Sequence, residues 1–112
     1  WNGSAESARA LTAALPFLEL SSDVVLLYAG GKDDDSGVEL VGNYLGWHGV
    51  KSRSVLLPAH DAGETLTAEA KKLGAGLLVM GAYGHSRAHE LVFGGVTRTV
   101  LQHATLPVLF AH

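Results

Sequence analysis

A chain of 112 residues with 47% hydrophobic and 17% charged side chains is long enough to bury a core and too apolar to remain disordered, so one globular domain is expected. A formal net charge of −3 without clustered Lys or Arg excludes nonspecific nucleic-acid binding, which depends on basic patches that release phosphate counterions. The absence of cysteine excludes a disulfide framework and a thiolate zinc site, and it fits a reducing cytoplasm.

No apolar run approaches the roughly 20 residues needed to span a bilayer, and Trp1-Asn2-Gly3-Ser4-Ala5-Glu6 lacks the regions of a signal peptide. The chain opens on Trp rather than Met and passes at once into helix-start chemistry, so a segment upstream is expected.

Ser4 is placed as an N-cap, and Ala5, Ala8, Leu11, Leu15 and Leu18 recur at helical spacing, predicting a helix from Ser4 to about Leu20 that Pro16 kinks or disturbs. Asp23 to Ala29 holds an unbroken apolar run, the pattern of a parallel strand covered on both faces. After the turn Gly30 to Asp35, Ser36 and Glu39 have capping-box spacing, and a helix runs to about His48 and stops at Gly49. Ser52 to Leu57 is the next strand. Asp61 and Glu64 repeat the cap spacing before a helix whose inner face is Leu66, Ala70 and Leu73, ended by Gly74.

Leu77 to Met80 reads as a third strand, followed by a glycine-rich loop, a helix through Val96, Val100, Leu101 and Ala104, and a last strand from Leu106 to Phe110. Strands separated by helices demand parallel pairing and right-handed crossovers, so the predicted fold is a doubly wound α/β sandwich. Trp1, Tyr44 and Trp47 are expected in its core.

From Met80 the chain reads Met80-Gly81-Ala82-Tyr83-Gly84, and after nine further residues Gly94-Gly95-Val96-Thr97 opens the last helix, a spacing of G-x2-G-x9-G. Gly81 and Gly84 let the chain turn off a strand end. Gly94 and Gly95 let backbone approach a ligand at a helix N-terminus, where unpaired N–H groups and the helix dipole favour an anion. Thr97 adds a hydroxyl for a phosphate oxygen, and His85, Ser86 or Arg87 is in position to close over it. Tyr83 is a candidate cover for the ligand. Tight turns and close helix packing are the competing use of such glycines.

This segment resembles the signature of universal stress proteins, G-x2-G-x9-G followed by Ser or Thr. Asn2-Gly3-Ser4 is similar to the family's Asp-Gly-Ser after its first strand, Leu26-Leu27-Tyr28-Ala29 to its second strand and Leu106-Pro107-Val108-Leu109 to its last. The resemblance implies a five-stranded parallel sheet of order 3-2-1-4-5, with the first strand largely absent from this chain. It implies ATP or AMP, with Mg2+ as an accompanying ion, along the carboxyl edge. Asn2 and Ala29 would lie by the base and ribose, Met80 and Gly81 against the ribose and phosphates, and Gly84, Gly94, Gly95, Val96 and Thr97 around the phosphates. The last strand, Val108, Leu109 and Phe110, would join a homodimer or a tandem-domain partner.

Two residues depart from the family pattern. Gly95 stands where the signature has Ser or Thr, which removes a hydroxyl but keeps the N–H. Asn2 replaces the usual Asp, so a neutral amide stands where a carboxylate would accept hydrogen bonds.

Other signals weigh less. Gly30 to Ser36 lacks the leading Ser of a pyrophosphate loop and the final Glu of an EF-hand. His85, His89 and Glu90 share a helical spacing but not the H-E-x-x-H order of a zinc site, while His48 and His103 suit helix C-termini. No Walker loop, paired carboxylates or nucleophile elbow is present, so binding is expected ahead of catalysis. The expected function is a cytoplasmic regulatory module of the stress response that binds an adenine nucleotide. A dimerisation or interaction scaffold of the same family is the alternative, and slow ATPase or phosphoacceptor chemistry at Ser86 or Thr97 is the third.

Overall fold

The computed structural model describes residues 1–29, 37–83 and 95–112. Helix α1 (Ala5–Glu19) starts where expected, because Ser4 has extended backbone (φ −81°, ψ 160°) and its Oγ accepts from the Ser7 N–H at 3.1 Å. The helix continues through Pro16 and closes at Leu20, whose N–H donates to Phe17 O at 3.2 Å. A proline this close to the C-terminus forfeits one helical N–H bond without ending the element.

Strand β1 (Val24–Ala29) pairs in parallel with β2 (Ser52–Leu57), from Val24 opposite Ser52 to Ala29 opposite Leu57. Helix α2 (Val38–Trp47) carries the chain between them. It ends as predicted at Gly49, whose φ of 74° lets its N–H reach Gly46 O (3.0 Å) while Val50 N–H reaches Leu45 O (2.9 Å). Gly74 (φ 66°) closes helix α3 (Ala62–Lys72) with the same pair of bonds, to Lys71 O and Ala70 O.

Strand β3 (Leu78–Gly81) pairs in parallel with β4 (Val108–Ala111), and helix α4 (Gly95–His103) precedes β4. The alternation of strands and helices with parallel pairing is the predicted α/β fold. Both pairings agree with the order implied by the resemblance, although no described strand joins β1–β2 to β3–β4.

One core cluster gathers Val24 from β1, Val41 and Leu45 from α2, and Val50, with Trp1, Leu11, Leu15, Leu18, Leu26 and Tyr44 packed against it. Helix α1 also lies on β3 and β4, and α3 packs on α4 so closely that a Cβ on Gly63 would stand 2.6 Å from Thr99 Cβ. Among the described residues no helix is long and apolar enough to cross a membrane.

Several expectations are corrected. The β1 run is not fully covered: Val24 and Leu27 are buried but the rest is half-buried, since among the described strands β1 has hydrogen-bonded pairing only with β2. Trp47 is 83% exposed rather than in the core. Val41 and Leu45 form the inner stripe of α2, and Trp47, two residues beyond Leu45, is turned by about 200° around the helix. Asp61 does not cap α3: at φ 50° its side chain makes no cap bond, and its Oδ2 lies 2.9 Å from His60 Nε2. Ser36 lies outside the described residues, and the cap position of α2 is taken by Gly37 (φ 71°), which has no side chain to cap with.

Candidate functional site

The first turn of α1 is organised by three polar side chains. Asn2 Oδ1 accepts from both Ser4 N–H (3.1 Å) and Ser4 Oγ (2.7 Å), and Ser7 Oγ donates to Ser4 O (2.8 Å). Ser7 and Glu6 are buried, and Glu6 Oε1 stands 4.0 Å from the exposed Arg9 guanidinium. The backbone nitrogen of Trp1 donates to Leu27 O at 2.7 Å, which ties the residue before Asn2 to β1. Ala29, half-buried, ends that strand opposite Leu57.

Gly81, at the end of β3, lies against this same turn. A Cβ there would come 2.5 Å from Ser7 N and 2.7 Å from the Glu6 carbonyl carbon, both backbone atoms that cannot swing aside. The glycine is therefore demanded by close approach of strand end and helix start. Met80 precedes it, half-buried and opposite Phe110.

Past Gly81 the chain is held to β4 by Ala82 N–H donating to Ala111 O (2.8 Å). Tyr83 then adopts φ 63°, a left-handed conformation uncommon for an aromatic residue. Its N–H donates to Thr97 Oγ1 (3.3 Å), and its ring centroid lies 6.0 Å from that of His112. The ring thus faces the end of β4.

Helix α4 begins at Gly95. Among the described residues, its chain neighbours and its own helix aside, a Cβ at that position would meet no atom within 4 Å, and Val96 beside it is 37% exposed. Thr97 is different: it is 4% exposed and its oxygen is engaged by Tyr83.

The predicted site residues Asn2, Gly81 and Thr97 are therefore linked through the first turn of α1 and the end of β3, with Gly95 and Val96 opening the adjoining helix. Gly84 and Gly94 lie outside the described residues, as do His85, Ser86, Arg87, His89 and Glu90. Among the described residues no group of three or more His, Cys, Asp or Glu is placed to hold a metal ion. Sequence reasoning overlooked Ser7 and Ala82. The S-x-x-S spacing of Ser4 and Ser7 is a local signal that could have identified Ser7, whereas nothing local marks Ala82 or the burial of Glu6.

The arrangement suits anion binding. The opening N–H groups of α4 have no partner within their own helix, and among the described residues no atom of another element lies within 4 Å of the Cβ position at Gly95.

Comparison with known proteins agrees with this architecture. The profile of the universal stress protein family matches residues 43–112. The universal stress protein of Archaeoglobus fulgidus superposes with a TM-score of 0.76 at 21% identity, over 97% of this chain and 91% of that one. A universal stress protein in complex with cAMP gives 0.68 at 23% identity, over 100% and 91%. The protein from Lactobacillus plantarum gives 0.58 at 17%, over 94% and 88%. At these identities the likeness is one of fold. No curated protein matches the chain.

Proposed function

Because the chain belongs to the universal stress protein family, we propose that it is a cytoplasmic stress-response regulatory module that binds an adenine nucleotide, ATP or AMP, with Mg2+ accompanying the phosphates. The observation that carries this reading is the start of α4 at Gly95, where no other described element comes within 4 Å of the Cβ position, beside a strand end where Gly81 is pressed onto α1. A bare backbone N–H at a helix start receives a phosphate without displacing any side chain. That a protein of the same fold is found in complex with cAMP supports the ligand class.

In this reading Asn2 and Ala29 flank the base and ribose, Met80 and Gly81 the ribose, and Gly84, Gly94, Gly95 and Val96 the phosphates. Binding is the proposed activity, with at most slow ATP hydrolysis beside it. The edge strand β4, through Val108, Leu109 and Phe110, pairs two copies or two tandem domains; these side chains are half-buried in the single chain and have room to be covered further.

Isothermal titration with ATP, AMP and cAMP tests the proposal. Saturable binding of ATP or AMP that Gly95→Val weakens supports it. Absence of saturable heat at millimolar nucleotide would leave the scaffold role, in which the β4 edge is the functional surface.

A further inference from the structure

The oxygen of Thr97 is already engaged within the chain. Thr97 is 4% exposed, so its side chain faces the protein interior, and its Oγ1 accepts the Tyr83 N–H at 3.3 Å across 14 positions of sequence. Tyr83 sits at φ 63°, where an aromatic side chain is disfavoured and persists only if its surroundings hold it. Among the described residues, the Ala82 N–H to Ala111 O bond of 2.8 Å, the Tyr83 ring against His112 and the bond to Thr97 do so. The Thr97 bond reaches from the end of β3 to α4.

We propose that Thr97 is a positioning residue that keeps Tyr83 in its left-handed turn and so holds the open start of α4 in register with the end of β3. The inference rests on the nucleotide-binding reading for its effect on affinity, but the clasp itself stands on geometry. Gly95 and Val96, two residues and one residue before Thr97, are the groups it places. A hydroxyl acceptor is required there. Serine retains it, whereas valine keeps the shape of threonine and leaves the Tyr83 N–H without its acceptor.

The experiment measures ATP affinity by titration and amide hydrogen exchange at Tyr83 in the full chain and its variants. Thr97→Ser is expected to bind ATP within about twofold of the unmodified protein. Thr97→Val is expected to bind about tenfold more weakly and to lose protection at the Tyr83 amide, the size of effect for a half-buried donor left without its acceptor. Tyr83→Asn in the Thr97→Val background should recover part of the affinity, because asparagine holds the left-handed turn readily even though the amide still lacks its acceptor. A role of Thr97 confined to packing α4 would not be rescued from position 83.

Thr97→Val binding ATP as well as the unmodified protein overturns the proposal, and so does Thr97→Ser binding as poorly as Thr97→Val. If the valine variant does not fold, exchange in the unmodified, nucleotide-free protein decides: a Tyr83 amide that exchanges as freely as a solvent-exposed one overturns the clasp. If the unmodified protein takes up no ATP, the nucleotide-binding reading falls, and the clasp is judged by Tyr83 exchange alone.

Discussion

Gly81 and Gly95 are the same residue type in the same site, yet their surroundings are opposite. At Gly81 the space a side chain would need is filled by the Ser7 nitrogen and the Glu6 carbonyl carbon, whereas at Gly95 it holds no atom of another described element within 4 Å. One glycine serves the fold, and the other, in the proposed reading, leaves room for a ligand. The motif that contains both therefore joins two physical demands that a spacing pattern cannot separate.

Substitution by valine should split them. Gly81→Val forces backbone apart from backbone and is expected to cost about 3 kcal/mol or more, lowering the melting temperature by roughly 10–20 °C in a domain of this size. A thermal melt checks it, and a change below about 3 °C would show that α1 and β3 can separate at no great cost. Gly95→Val is expected to shift the melt by no more than about 3 °C while weakening ATP binding about tenfold, since the Cβ it adds meets no atom of another described element within 4 Å. Unchanged affinity would place the phosphate elsewhere.

Ser4→Ala sharpens the contrast from the α1 side. It removes the cap of the turn on which Gly81 rests, and about 1 kcal/mol of stability should go with it, measured by denaturant unfolding. Its effect on ATP binding should be smaller than that of Gly95→Val. At the opposite end of β1, the Arg53 and Asp23 pair (3.1 Å) is half exposed on both sides, so Asp23→Asn should change stability by less than about 0.5 kcal/mol. A larger loss there would mean that the β1–β2 edge is less solvated than its exposure indicates.

Much of the fold was legible from short-range patterns. Ser4, Gly49 and Gly74 were recognised as helix boundaries because a cap or a left-handed stop depends on residues within one turn. Asp61 shows the limit of the same rule: the cap-to-N3 spacing is present, but a left-handed backbone and the neighbouring His60 take its carboxylate elsewhere. Trp47 shows another. Hydrophobicity suggested a core residue, while the angle between it and Leu45 on the helix puts it outside.

The sequence alone determined the kinds of element and their order, the glycine stops and the family resemblance, because periodicity, capping and turn chemistry act over a few residues. Tertiary structure decided which glycine is packed and which is open, that the described strands form two pairs, and that the Thr97 hydroxyl is bonded to Tyr83 rather than presented to solvent. Each of those depends on atoms brought together from distant positions. The packing of α1 on β3, and the Tyr83 bond to Thr97 of α4, place such atoms within contact distance.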